Sequence, residues 1–239
     1  MNIAIDIGNT RTKVGIFNKT NIEQIYTFEN TNKIEINEAF EAFKIEKSII
    51  STTSNISNII KNKLRNIPIS IYLDEHTKLP FKNKYGTQNT LGKDRIALIA
   101  AAQHLFPKQN VLVIGCGTCI TYNFINAKNE FLGGSIHPGL KMRIKAMNYF
   151  TKNLPLVEIQ TNKNLIGKNT IENLTIGSSV ATAKEIDAMI DAYKVKFSKL
   201  KIIITGGDAD FLVSLLKNKI FAIPNLTLLG LNHILEYNA

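Results

Sequence analysis

An α/β fold in two domains, each a mixed sheet flanked by helices, is predicted from three observations. The chain opens on a β-hairpin, a like hairpin begins the second half, and strand-like runs alternate with helical ones in both halves. The first hairpin runs from Asn2-Ile3-Ala4-Ile5-Asp6-Ile7 through a turn at Gly8-Asn9-Thr10-Arg11 into Lys13-Val14-Gly15-Ile16-Phe17. Placing Gly117 on Gly8 sets Asn9 against Thr118, Thr10 against Cys119, Thr12 against Thr121 and Asp6 against Gly115. This is a repeat at domain scale. A chain of 239 residues can bury two such cores. The expected division is 1–109 and 110–239, with no Pro/Gly/Ser-rich linker between.

The elements follow from local pattern. Ser48–Ser51 and Ile67–Tyr72 read as strands, with a helical stretch near Ile56–Leu64 between them. Leu79–Leu91 is polar, contains a Pro and a Gly, and reads as a long loop. A helix then runs from Asp94 to Leu105, its first turn holding a carboxylate where exposed backbone N–H groups favour one. In the second half, Phe131–Gly139 reads as a turn-rich strand leading into a helix over Leu140–Phe150. A longer helix is expected from Thr170, with the core stripe Ile176, Val180, Ala183, Ile190, Tyr193 and Phe197. Lys201–Thr205 is a buried-type strand, then Gly206-Gly207, then a helix over Asp208–Lys217.

Composition narrows the function. Hydrophobic residues make up 44% and charged residues 20%, which excludes wholesale disorder. No apolar run is long enough to cross a membrane, and the N-terminus has no basic leader, so no secretory signal is expected. The 29 Lys and Arg outweigh 19 Asp and Glu, for a net charge of +10. Such a balance suits anionic partners. Only Arg11, Arg65, Arg95 and Arg143 are arginines, and the lysines are scattered, so a solvated surface is expected in place of a nucleic-acid face. Cys116 and Cys119 are spaced C-x-x-C but sit between two strands, without the following helix of a redox motif or the second pair of a zinc ribbon. Reduced thiols fit a cytoplasmic location.

Three segments could carry chemistry. In the first, Gly8 lets a backbone approach an anion, and the turn N–H groups and Thr10 hydroxyl can donate to phosphate oxygens. Asp6 beside them could hold Mg²⁺, usually through water, and Lys13 could reach the same phosphate. A plain hairpin turn uses the same residues. In the second, Gly206-Gly207 would let a nucleotide lie against backbone near a helix start, or would simply turn strand into helix. In the third, Asp94 and Arg95 could activate a hydroxyl and clamp a carboxylate, or be a helix cap and a surface arginine.

Together these fragments resemble one family over nearly the whole chain, the type III pantothenate kinases of the acetate and sugar kinase, Hsp70 and actin superfamily. The resemblance is carried in order by Asp6-Ile7-Gly8-Asn9-Thr10, Tyr85, Leu91-Gly92-Lys93-Asp94-Arg95, Gly117-Thr118, Gly133 to Gly139, Thr151 ahead of Leu154-Pro155, Thr170, and Thr205-Gly206-Gly207. It implies an actin-like (ribonuclease H-like) fold in both halves with ATP in the cleft between them. It also implies Mg²⁺, a cytoplasmic homodimer, and pantothenate near the subunit interface, with neither membrane nor nucleic acid as partner. The implied activity is ATP-dependent phosphorylation of pantothenate to 4′-phosphopantothenate, the first step of coenzyme A biosynthesis. By motif match Asp94 is the general base. Tyr85, Gly92, Lys93, Arg95 and Thr151 contact the substrate, and Thr170 does so from the neighbouring subunit. Asp6, Ile7, Gly8, Asn9, Thr10, Arg11, Thr12 and Lys13, with Gly117, Thr118, Gly206 and Gly207, bind ATP, and Asp6 serves Mg²⁺.

The chain departs from the family at Gly115, where the resemblance calls for an aspartate that ligates a monovalent cation. With no side chain there, either dependence on K⁺ or NH₄⁺ is lost, another oxygen takes its place, or activity is impaired. Two other readings stand beside the kinase: a non-catalytic family member acting as an accessory regulator of transcription, and a kinase of another small hydroxy acid. Intact Asp6, Asn9, Thr10, Asp94 and Arg95 argue against the first; Arg95 and Tyr85 favour an acid without naming it.

Overall fold

In the computed structural model, which describes residues 1–29, 36–52, 58–160 and 164–239, the opening hairpin pairs β1 (Asn2–Ile7) antiparallel with β2 (Arg11–Asn18), Asp6 opposite Lys13 and Ile7 opposite Thr12. β3 (Asn21–Glu29) runs antiparallel along the far side of β2. The chain continues through α1 (Ile36–Glu41), β4 (Lys47–Thr52), α2 (Asn58–Arg65) and β5 (Ile69–Tyr72). β4 lies parallel to β1 and β5 parallel to β4, so the sheet order is β3-β2-β1-β4-β5. Ile3, Ile5 and Ile7 alternate onto one face and join Val14, Ile16 and Ile50 under Ala39, Ile60 and Leu64 of α1 and α2. Each fully buried Ile contributes about 1.5–3 kcal/mol.

The polar stretch after β5 forms the two-residue strand β6 (Lys82–Asn83), a 3₁₀ turn at Gln88–Thr90, and then α3 (Lys93–Leu105). From Arg95 to Ala102 every residue of α3 is buried, and from Ile96 on all of them are apolar, so this stretch must be covered on all sides.

The second compact unit begins at Gln109. Its hairpin is β7 (Val111–Cys116) and β8 (Cys119–Ile125), followed by β9 (Glu130–Pro138), α4 (Leu140–Phe150), α5 (Thr170–Ser178) and α6 (Val180–Lys196). Next come β10 (Lys201–Thr205), α7 (Ala209–Val213) and β11 (Phe221–Ala222). β10 pairs parallel with both β7 and β11, and β6 pairs parallel with β9, giving the six-strand order β6-β9-β8-β7-β10-β11. Apart from the added edge strand β6, that is the order of the first sheet, so the repeat seen in the hairpins extends to five strands of each sheet. Leu112, Ile114, Tyr122 and Phe124 pack with Ile186 and Ile190 of α6.

The last helix, α8 (Leu226–Asn238), returns to the first unit, as does the stretch Ile125–Leu132. The contiguous division expected from sequence placed both in the second domain. α8 packs on α3 and on β1, β2 and β4. A Cβ on Gly230 would lie 1.8 Å from the Ala97 carbonyl oxygen, so the two helix backbones meet where only glycine fits. Small Ala97, Ala100 and Ala101 on α3 create that approach. Leu228 of α8 sits over Gly15, on the other face of the first sheet from α1 and α2.

Other expectations shift in detail. The long helix from Thr170 is broken at Ser179, whose hydroxyl donates to the Thr175 carbonyl at 2.6 Å and so competes with regular helix geometry. The helix expected to reach Lys217 ends at Val213. The start of the stretch near Ile56 lies outside the described residues; its continuation is α2. Cys116 belongs to the apolar core with Ile114 and Ile120, so Cys119, next to Ile120 in the strand, faces the opposite way. Burial pushes the Cys116 thiol up to about 12, with the Asp208 charge adding to the effect. The pair is not a redox dithiol.

Two predictions concern the α3–α8 packing. Gly230→Ala should cost about 1–3 kcal/mol or more in urea unfolding, as overpacking at a backbone contact does; a loss below about 0.5 kcal/mol would mean the helices are not in contact there. His233 of α8 lies with its Nε2 3.0 Å from Gln103 Oε1 and its ring 4.4 Å from that of His104. Burial first, and the His104 charge second, pull its pKa from 6.5 to about 4. The unfolded chain therefore takes up a proton in that window that the folded chain refuses. The stabilisation is full above pH 6.5 and is lost as pH falls toward 4. His233→Gln should flatten the fall of Tm across this range; an unchanged slope would remove His233 as its source.

Candidate active site

The first hairpin turn is closed by the Gly8 N–H donating to the Arg11 carbonyl at 3.1 Å. Asn9, Thr10 and Arg11 are exposed at its tip, while Thr12 is buried. Gly8 and Gly117 are absent from the positive-φ glycines, so what glycine provides in both turns is room for a close-lying group, not an unusual backbone angle.

Asp6, next to last in β1, has a residue directly opposite it on each neighbouring strand: Lys13 on β2 and Ser51 on β4. Its carboxyl is pushed up to about 6, first by burial and next by the negative charge of Asp94, against a hydrogen bond from Ser51 and the charge of Lys13. Lys13 Nζ donates to Asn225 Oδ1 at 3.0 Å, and burial lowers its pKa. The structure thus brings Asp6, Lys13 and Asp94 into one electrostatic cluster within the first unit.

Asp94 is exposed in the first turn of α3, which carries no side-chain cap at Gly92. A Cβ at Gly92 would come 2.5 Å from Asp94 Oδ1, so glycine at that position leaves the carboxylate its place. Arg95, one residue on, turns inward and is 4% exposed. Its guanidinium carbon lies 5.5 Å from the Tyr85 ring centre and 5.8 Å from that of Phe131. The surface arginine of the alternative reading is therefore a buried one. Phe131 was read from sequence only as the start of a strand; nothing local marks its contact with Arg95.

In the second unit, the Gly117 N–H donates to the Cys119 carbonyl at 3.0 Å, and Gly117 and Thr118 are exposed. Two glycines press on this turn. Gly139 donates its N–H to the Thr118 carbonyl at 3.1 Å, and its Cβ would lie 2.3 Å from the Gly117 oxygen. Gly206, with φ +108°, would place a Cβ 2.1 Å from the Cys116 oxygen. Gly207 is open to solvent. Nearby, Leu140, Ile144 and Phe211 with Lys141 and Lys145 line a cavity of about 660 Å³ that Asp208 borders. Two lysines and two carboxylates, Glu158 and Asp208, share this largely apolar hollow beside a glycine turn, a setting with the flat apolar wall and polar rim that a nucleotide base needs. Sequence reading placed only Gly206 and Gly207 there.

Thr151 and Thr170 sit at helix ends. The Thr151 hydroxyl donates to the Met147 carbonyl at 2.7 Å, and Thr170 opens α5 beside the Asn169 cap, whose side chain accepts from the Glu172 N–H.

Among the described residues no group of three or more His, Cys, Asp and Glu could hold a metal by itself. Mg²⁺ in a kinase needs only one or two carboxylates and completes its shell with water and substrate phosphates. Asp6 fits that role, because a nearby cation would relieve the burial and the Asp94 repulsion that now disfavour its charge. A monovalent cation held by a side chain at 115 does not fit. Gly115 lies opposite Thr205 in the β7–β10 pairing and offers only backbone.

Comparison with known proteins supplies the family. A sequence profile described as type III pantothenate kinase matches residues 2–192. The type III pantothenate kinase of Christiangramia forsetii is 43% identical over 244 residues, which cover 100% of this chain and 99% of the relative. Among solved structures, a conserved Campylobacter jejuni protein assigned to the Baf family of transcriptional activators aligns over 99% of this chain and 98% of its own, with TM-score 0.62 and 23% identity. A ROK family glucokinase from Streptomyces griseus, solved with glucose and AMPPNP, aligns over 99% and 98% with TM-score 0.54 and 13% identity. Both likenesses are of fold, and they bear out the expected actin-like α/β architecture. The sequence relationship runs end to end with little gained or lost, and the chain belongs to the type III pantothenate kinase family.

Proposed function

We propose that this chain transfers the γ-phosphoryl group of ATP to the hydroxyl of pantothenate, giving 4′-phosphopantothenate and ADP at the entry to coenzyme A biosynthesis. The observation that carries the proposal is the pairing of an exposed carboxylate and a buried guanidinium at successive positions of α3, Asp94 and Arg95, in a chain with full-length relatives named for this activity.

Phosphoryl transfer asks a protein mainly to position groups and stabilise charge. The N–H groups and hydroxyls of Gly8 to Thr10 and of Gly117-Thr118 donate to phosphate oxygens, and Lys13 adds positive charge on the Asp6 side. The base lies in the cavity beside Gly206-Gly207, flanked by Lys141 and Lys145. Asp94 accepts the proton of the attacking hydroxyl. Arg95 pairs with the pantothenate carboxylate, and Tyr85 packs against the bound acid. Mg²⁺ held through Asp6 neutralises phosphate charge when bound.

A second copy of the chain is part of the same proposal. Tyr149 and Phe150 at the end of α4 are 82% and 81% exposed, and Leu165 and Ile166 are 74% and 79% exposed. Apolar exposure on that scale marks an interaction surface. Thr170, a few residues on, is then the group presented to the partner's substrate. No helix among the described residues is long and apolar enough to cross a membrane, and we place the enzyme in the cytoplasm. The transcription-regulator reading finds support only in the fold of a relative at 23% identity, which does not carry function.

The activity is tested by ADP release with pantothenate against a panel of small hydroxy acids. Release specific to pantothenate supports the proposal, and preference for another acid replaces it. In the same assay Asp94→Asn should lower kcat by roughly 10²–10⁴-fold, the usual worth of a positioned base; a rate near that of the parent protein moves the base elsewhere. Because Gly115 has no ligating side chain, K⁺ or NH₄⁺ should stimulate turnover weakly or not at all, and Gly115→Asp should introduce a dependence. Strong stimulation of the parent protein would show that another oxygen supplies the ligand.

A further inference from the structure

Phe131, on β9, is fully buried and meets Tyr85 and Arg95, which come from two other stretches of chain. Its backbone pairs with Asn83 of β6, and its carbonyl accepts the Lys84 N–H at 3.0 Å. Asn83 Oδ1 then accepts the Tyr85 N–H at 3.0 Å, turning the chain so that the Tyr85 ring stacks on Phe131 with centres 6.0 Å apart and an angle of 20° between the planes. The Arg95 guanidinium lies within 5.5 Å and 5.8 Å of these two ring centres. Phe81 meets Phe131 edge-on, at 6.3 Å and 76°, on a contact that does not include Arg95.

We propose that Phe131 is a positioning residue for substrate recognition: its ring and its strand pairing with Asn83 set Tyr85 and Arg95 so that the guanidinium fork is already oriented when the substrate carboxylate arrives. The inference rests on the reading of Arg95 as the carboxylate partner. A guanidinium is planar, weakly hydrated and attracted to ring faces within about 6 Å. A long arginine side chain otherwise samples many rotamers, and ordering it on binding weakens affinity. A ring wall removes that cost in advance. It acts equally on bound substrate and transition state, so its loss should appear in KM and not in kcat.

The test measures steady-state kinetics and thermal unfolding for Phe131→Leu and Phe131→Met, the latter filling the space with a flexible chain. Phe81→Leu, a comparable loss of buried ring, serves as the control, and each Phe131 variant is also made in an Arg95→Ala background. The expected result is a rise of about five- to twentyfold in KM for pantothenate for both Phe131 variants, with kcat and KM for ATP within about twofold. Phe81→Leu should leave KM for pantothenate within about twofold, and the Phe131 substitutions should add less than about twofold once Arg95 is gone. An unchanged pantothenate KM in the Phe131 variants, while Arg95→Ala raises it, overturns the positioning role alone. Fully additive effects, or an equal rise for Phe81→Leu, overturn it as well, since the ring then acts only as core. If Arg95→Ala leaves pantothenate KM unaltered, the carboxylate reading of Arg95 falls and this inference with it.

Discussion

The approach of α3 to α8 is the constraint on which the first unit's chemistry depends. Between Arg95 and Ala102 α3 has no side turned to water, so this stretch must be enclosed, and the chain's last helix encloses it through a backbone contact that leaves no room for a methyl group between Gly230 and Ala97. The contact at Ala97 lies just past the first turn of α3, so holding the helix there fixes that turn as well. Asp94 then stands outward and Arg95 inward from adjacent residues. One helix start thus presents an exposed carboxylate and a buried guanidinium in different surroundings, as the proposed roles of proton acceptor and acid clamp require.

Electrostatics give that geometry its meaning. Asp6 is disfavoured as an anion both by burial and by a second carboxylate, while the two residues opposite it in the sheet, Ser51 and Lys13, act in the other direction. The balance leaves a carboxyl whose charge depends on what else is present. Strand register supplies the two groups that favour the charged form, because pairing by Cα position places Ser51 and Lys13 beside Asp6, while burial and Asp94 of α3 supply the larger opposing part.

The parts of the fold visible in the sequence were those with local causes. Both hairpins could be read because Gly8-Asn9-Thr10 and Gly117-Thr118 are turn chemistry between alternating strands, and Asp94 could be placed in a first turn because helix starts favour a carboxylate. The strand order repeated in both units extends that reading. What escaped was set by distant partners. α8 has an ordinary apolar helical sequence, and only its match to the alanines of α3 assigns it to the first unit. β6 is two residues long and exists because Asn129 and Phe131 accept its hydrogen bonds, so no property of Leu79–Leu91 alone could reveal it. Phe131 and the cavity beside α4 and α7 were missed for the same reason: each is a juxtaposition of segments, and neither has a motif.

The opposite orientations of Cys116, at the end of β7, and Cys119, at the start of β8, have a practical consequence for anyone wishing to watch the second glycine turn in solution. Cys116 is sealed in the core with its thiol held protonated far above neutrality, whereas Cys119 is half-exposed at the foot of the same turn. An alkylating fluorophore or spin label would therefore couple to a single thiol without any cysteine having to be engineered in or out. The label would sit one residue from Thr118, where arrival of a polyanion should be felt as a change in its signal.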